Sequence, residues 1–371
     1  MKRIFLIVFI MIITFIAMFY ASVNSSINNA LSNINNIKFK SGALNDTMIT
    51  KLTGEEDGKE ERKFIGYLKK ENVIEIQHKI SKWIYRDSLI YTLDNSNQKF
   101  YVYDENVNMV SKFGEKGDAP WEGRDIVFFE VSDSNIYIID YGKMSIKSCS
   151  IPIKNTVINY YKSKDNFWSG SKLNNDLYLL LFESHENNDG NFFFNVIDIS
   201  SKRQLSSLSF KTIVKTDDKQ QYLNVAYEGY FYKNSGSDVF YVCTKAGLFL
   251  HFNSDGEFLY AAQTIDKSPA PTIRTKTNGN FTFYIKEPDY SINYSVSIDN
   301  HYLYILSLIR FIKSDQLVID LYRIIDGKYE GSIEIPNFNE QLPIKILKIS
   351  NNGFMVLYED MALIKYKLLK Y

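Results

Sequence analysis

Residues 88–113, SLIYTLDNSNQKFYVYDENVNMVSKF, decide the fold. β-branched and aromatic residues come in short alternating runs, and each run ends in Asp, Asn or Ser. This is strand chemistry: branched and ring side chains suit a pleated, half-buried surface, and Asp and Asn close turns by bonding their own backbone. The opening cluster SLIYTLD (88–94) returns as SNIYIID (134–140), NDLYLLL (175–181), SDVFYVC (237–243), NHYLYIL (300–306) and NGFMVLY (352–358). Equivalent positions are about 40 to 65 residues apart. After each cluster come a second strand, a tight turn and a third strand. KFYVYDENVNMVSKF (99–113), LFLHFNSDGEFLYAA (248–262) and DLYRIIDGKYEGSIE (320–334) overlay in this way. A short strand precedes each cluster, as in KWIY and IKILKI. Four strands per repeat and six repeats predict an all-β, six-bladed β-propeller. A large β-sandwich is the alternative, and it leaves the repeats without a reason.

The chain ends one strand short after MALIKYKLLKY, while KFIGYL (63–68) or MITKL (48–52) is spare near the start. Pairing a spare N-terminal strand with the last repeat closes the ring and removes open sheet edges, which are aggregation sites. The stretch IYTLDNSNQKFYVYDENVNMVSKFGEKGDAPWEG (90–123), followed by IYIIDYGKMSIKSCSI (136–151), resembles NHL-repeat propellers. The resemblance rests on Asp94 at a strand end, on the Tyr103-Asp104 pair and on Gly114, Gly117 and Gly123 in the connection. It covers the first two repeats well and 240–262 fairly. Elsewhere the chain is similar in a general way to TolB-like six-bladed propellers. The resemblance implies a fold and leaves function open, because propellers serve as binding platforms, scaffolds and enzymes.

The N-terminus reads differently. Lys2 and Arg3 precede an uncharged apolar run from Ile4 to Tyr20, near the lower limit for crossing a hydrocarbon core of about 30 Å. Positive charge before the run, and none after it until Lys38, puts the rest of the chain outside the cytoplasm. Residues 1–23 are therefore expected to be a signal anchor or a cleaved signal peptide. Residues 24–47 are expected to be a polar tether, and 48–371 the propeller. The domain is then membrane-anchored, periplasmic or extracellular, or secreted if the signal is removed.

Composition sets limits on function. Of 371 residues, 43 are basic and 43 acidic, which argues against a nucleic-acid partner. Aromatic residues make up 15%, enough for a core and too many for a disordered chain. Two cysteines, Cys149 and Cys243, fall in strands of non-neighbouring repeats, so two separate thiols are expected rather than a bridge. The four histidines, at 78, 185, 251 and 301, form no pair at ligand spacing, and no cofactor is implied.

Four residues are candidate ligand contacts. Asp94, Asp140 and Glu359 end equivalent strands, and facing the axis they would gather carboxylates around a cation or a basic peptide. The local alternative is that each caps its own turn. Trp121, in the Gly-rich connection, is an exposed-aromatic candidate, with packing between blades as the alternative. Asp104-x-Asn106-x-Asn108 with Glu115 partly mimics a calcium loop but has Met109 where the bend needs Gly. The loop 183–191, ESHENNDGN, has acidic side chains around a Gly turn. The leading expectation is a binding or scaffold module for a protein, peptide or glycan. A metal-dependent lactonase- or lyase-like enzyme at the central channel is the alternative.

Overall fold

The computed structural model describes residues 61–371, apart from 133–134, 152–156, 175, 184–189, 215–221, 279–280 and 309–316. The expected anchor (1–23), the tether (24–47), the alternative spare strand MITKL and most of the 183–191 loop lie outside the described residues.

Strand β1 is Phe64–Glu75. The first meander is β2 (Lys82–Arg86), β3 (Leu89–Asp94), β4 (Lys99–Asp104) and β5 (Met109–Phe113). The second is β6 (Ile126–Ser132), β7 (Asn135–Asp140), β8 (Ser145–Ser150) and β9 (Val157–Lys162). The third is β10 (Phe167–Lys172), β11 (Leu177–Glu183), β12 (Phe192–Asp198) and β13 (Arg203–Ser209). The fourth is β14 (Gly229–Lys233), β15 (Val239–Cys243), β16 (Leu248–Phe252) and β17 (Phe258–Gln263). A hairpin of β18 (Thr272–Asn278) and β19 (Phe281–Glu287) follows. Then come β20 (Asn293–Ile298), β21 (Tyr302–Ser307), β22 (Val318–Arg323) and β23 (Tyr329–Glu334). The chain finishes with β24 (Pro343–Ser350), β25 (Gly353–Tyr358) and β26 (Ala362–Lys370).

The turns use the chemistry the sequence advertises. The Asp94 carboxylate accepts from the Ser96 amide at 2.9 Å and from the Asn97 side chain at 2.8 Å. Asp104 accepts from the amides of Asn106 and Asn108 at 2.9 and 2.8 Å, so the calcium-like spacing is a closed turn. Side chains on both faces of the inner strands are buried, because each sheet packs against a neighbour on either side. Phe100, Val102 and Leu93 meet Phe129, Ile136 and Ile138 of the next meander. Ile139 and Ile146 then meet Tyr178 and Leu180, and Phe194 meets Phe231 and Tyr241. Phe240 and Phe249 pack with Leu303 and Ile305. Ile319 and Ile333 pack with Ile346 and Phe354. Finally Met355 and Leu357 pack with Ile90 and Tyr103 of the first meander, so the succession of cores returns to its start.

Contacts between first strands follow the same circle. They run from β2 to β6, β10, β14, β20 and β24 in turn, and from β24 back to β2. The described chain is therefore all-β with a propeller-like arrangement, its first strands around a common axis.

Six separate blades are expected from the repeats, and the hydrogen bonding differs. Among the described residues there are four four-stranded sheets, the two-stranded β18–β19 hairpin and one eight-stranded sheet, ordered β20-β21-β22-β23-β1-β26-β25-β24. The reason is β1. It lies antiparallel to β26, from Gly66 opposite Lys370 to Glu75 opposite Ala362, supplying the strand the last repeat lacks. Its start also runs parallel to β23, with Tyr67 opposite Glu334. Gly66 sits where these pairings converge: a Cβ there would fall 2.3 Å from the Leu369 carbonyl oxygen. Cys149 and Cys243 are separate, buried thiols.

Arg62 locks this junction. Its guanidinium grips Asp320 of β22 with two bonds, Nε at 3.0 Å and Nη2 at 2.9 Å, and also binds Asp266. Asp320 in turn accepts from Ser332 of β23. Burial opposes the charge on Arg62, but its bonds to Asp320 and Asp266 outweigh this and hold its pKa above the ordinary arginine value. Removing one partner of such a buried pair strands the other charge. Arg62→Met is expected to cost about 3–5 kcal/mol of stability, with much of it recovered in Arg62→Met/Asp320→Leu. Denaturant melts of the three proteins check this.

Candidate functional site

The first strands enclose a central cavity of about 1160 Å³. Its volume lies just above the usual range for ligand sites, about 300–1,000 Å³. Residues from β2, β6, β10, β14, β20 and β24 all contribute to the wall.

At the end where these strands begin, one arc of the wall is aromatic. Trp168 of β10, Tyr230 of β14 and Tyr294 of β20 each stand second in their strand and line the cavity. Tyr230 and Tyr294 keep 45% and 41% of their surface exposed, unlike the ring side chains that fill the cores. The facing arc is cationic. Lys82 opens β2, Lys345 stands third in β24, and Lys79 lies just before β2. These two strands are fixed together by the Trp83 indole N–H, which donates to the Ile346 carbonyl oxygen at 3.2 Å. Lys82 and Lys345 are the immediate chain neighbours of that bonded pair.

The other charges of the wall are mostly matched. Lys233 bonds Glu130 at 2.9 Å and the Leu173 carbonyl oxygen at 2.8 Å. Lys286 of the β18–β19 hairpin pairs with Glu228, and Lys245 with Asp289. These pairs, with the Tyr222–Tyr284 ring contact at 5.0 Å, tie the hairpin to the cavity rim. Among the described residues, Lys79, Lys82 and Lys345 form no ion pair. Lys82 instead lies 5.2 Å from the centre of the Tyr230 ring.

The electrostatic result is a poorly compensated positive site. Burial, then repulsion from Lys345, pushes the Lys82 pKa down to about 8, with Asp125 opposing. Burial and repulsion from Lys79 push Lys345 down to about 8. Lys348, further along β24, is pushed down to about 8 by burial, with Asp299 opposing and Lys370 adding repulsion. It stacks 4.2 Å from the Phe354 ring centre.

The residues marked by the sequence lie elsewhere. Asp140 is fully buried, accepts from the amides of Arg124 and Asp125 at 3.1 and 3.0 Å, and has Lys147 at 3.6 Å. Asp94 is buried in its turn, Trp121 is half-buried in the connection before β6, and Glu359 is exposed after β25. These four are not brought together, and none lines the cavity. His78 hydrogen-bonds Thr92 and Tyr103, and His251 stacks on Phe240. Among the described residues no three His, Cys, Asp or Glu side chains cluster as a metal site would require. Sequence reasoning missed the lysine–aromatic wall. The available signal was charge at the start of otherwise apolar first strands, in KISKW (79–83) and PIKIL (343–347).

No protein-family model matches the chain, and no curated protein matches it. Solved structures do. A putative exported protein from Bacteroides fragilis NCTC 9343 is 11% identical over 84% of this chain and 95% of its own, with a TM-score of 0.49. BamB from Moraxella catarrhalis is 9% identical over 81% and 99%, with a TM-score of 0.41. A streptogramin B lyase is 11% identical over 84% and 100%, also at 0.41. The site must be read from its own chemistry.

The lysine shifts carry a sign. Between about pH 8 and 9.5 the unfolded chain keeps lysine protons that the folded chain has released, so stability rises with pH. Chemical denaturation across this window is expected to show that rise, and Lys82→Met/Lys345→Met is expected to reduce it, the remainder coming from Lys348.

Proposed function

We propose that the chain is a six-bladed propeller, held outside the cytoplasm by its N-terminal segment, that binds a peptide, glycan or exposed protein segment in its central cavity. The count of six is supported by the circle of first strands and by the matching circle of cores, with the eight-stranded sheet read as two blades sharing β1. The tether is supported by Lys2, Arg3 and the apolar run from Ile4 to Tyr20. Among the described residues no helix is long and apolar enough to cross a membrane, so the tether rests on the segment before residue 61.

One observation carries the binding reading. The cavity wall holds large, partly exposed rings, Tyr230 and Tyr294, where a purely structural channel would be filled by packed side chains. Exposed aromatics in a concave, mixed apolar and polar setting are what a ligand site presents. The enzyme reading would draw on the wall's carboxylates, and two of these, Glu130 and Glu228, are paired with Lys233 and Lys286, which leaves the lysines of β2 and β24 and the rings as the groups offered to a guest.

The test is a screen of the full chain, purified in mild detergent, against glycan and peptide arrays. Tyr230→Ala and Tyr294→Ala are expected to weaken the ligand found by about tenfold, or 1.4 kcal/mol, with little change in melting. Binding that ignores both substitutions sinks the cavity as the site. For location, protease added to cells stripped to the cytoplasmic membrane is expected to digest the domain; protection equal to that of a cytoplasmic protein contradicts the export reading.

A further inference from the structure

Among the described residues, three lysines without an ion pair and three cavity-lining aromatic rings stand on opposite arcs near the end where the first strands begin. The circle of first strands runs β2, β6, β10, β14, β20, β24, so β2 and β14 face each other across the axis. The contact of Lys82, on β2, with the Tyr230 ring, on β14, therefore spans the channel. An ammonium group held there has given up much of its water and received in exchange the face of a ring, a weaker partner than a carboxylate. Lys345 and Lys79 stand beside it on the same arc and raise the local positive potential. Asp125 is the carboxylate that opposes this charge at Lys82.

Every feature of this end of the cavity fits one kind of guest. A flat, partly apolar ring with C–H groups on its face suits Trp168, Tyr230 and Tyr294, whose faces carry the negative side of the aromatic quadrupole. A carboxylate on that ring would give Lys82 and Lys345 the direct ion pair that Asp125, acting on Lys82 from beyond bonding distance, does not supply. The cavity, at about 1160 Å³, has room for more than one such unit. Inorganic phosphate could also supply counter-charge, but it has no apolar face to lay on the aromatic arc.

We infer that this end of the cavity binds an acidic saccharide, its sugar rings stacked on Trp168, Tyr230 and Tyr294 and its carboxylates on Lys82, Lys345 and Lys79. The inference rests on the cavity being the binding site and adds the chemistry of what enters it. On binding, the Lys82 ammonium exchanges the Tyr230 face for a carboxylate, freeing that face for a sugar. The charged lysines bind the anion, so affinity falls as pH rises through about 8.

The experiment is titration calorimetry on the full-length protein with tetragalacturonate, its methyl ester, tetraglutamate and inorganic phosphate. Tetragalacturonate is expected to bind, with the ester about tenfold weaker. Lys82→Met/Lys345→Met is expected to lower affinity for the acid by about tenfold and leave that for the ester unchanged. Raising pH from about 7 to 9.5 is expected to weaken the acid alone. A thermal melt confirms folding, and Lys345→Gln serves as the second variant should the double fail to fold. Ester and acid binding equally would overturn the cationic recognition while leaving the cavity as a saccharide site. Tetraglutamate or phosphate binding as tightly as the tetragalacturonate would overturn the saccharide assignment. Binding of none of the four would overturn the inference, and the array screen then decides whether the cavity reading survives.

Discussion

The structure depends on where β1 goes. A ring of sheets has no natural end, and a chain that makes its strands in sequence leaves its last sheet incomplete and its first strand spare. Here the spare strand pairs along nearly the whole of β26 and touches β23 with its opening residues. The buried grip of Arg62 on Asp320 then fixes the entry of that strand to β22. Charge buried this deeply is poor value as stability in itself, because desolvation consumes much of the attraction. Its use is positional: a bidentate fork admits one register, and register on β1 sets the alignment of β24 with β2 across the seam.

That seam is also where the cavity acquires its charge. Lys82 and Lys345 sit on the strands that meet there, and the Trp83–Ile346 bond holds those strands together. Lysines crowded without carboxylates weaken a fold, since each gives up water without full compensation. Elsewhere in the cavity the same protein neutralises its charges, as with Lys233 and Glu130. The contrast marks the β2–β24 arc as a place where electrostatic strain is retained, which is the pattern expected where an outside partner completes the balance.

The sequence made the four-strand repeat and the completing strand legible, because both signals are local. Alternation in 99–104 and the Asp or Asn that closes each turn are set by neighbours within a few residues. The sharing of β1 between two partners was not legible, since it depends on which edges meet in space. The β18–β19 hairpin was also missed: Arg274, Thr275 and Lys276 are exposed and carry no alternation to a core. The site was the least legible part. Trp83 and Ile346 lie 263 positions apart, and only closure of the ring makes them and their lysine neighbours adjacent. Asp94 and Asp140 drew notice by repeat position, yet Asp94 is occupied with an amide of its own turn, and Asp140 with the Arg124 and Asp125 amides before β6 and with Lys147.

Pairing β1 with β26 has a consequence for the order of events in the cell. The ribosome makes residue 64 some three hundred residues before residue 370, so the earliest strand of the domain is the one that must wait longest for its neighbour. Until β26 emerges, the meanders can form one by one, each from local contacts, but the circle stays open and its first and last faces stay wet. The ring thus closes with a latch rather than a gradual consolidation. A nascent chain truncated by even its final strand would leave both β1 and β25 with bare edges, the state in which such proteins stick to one another.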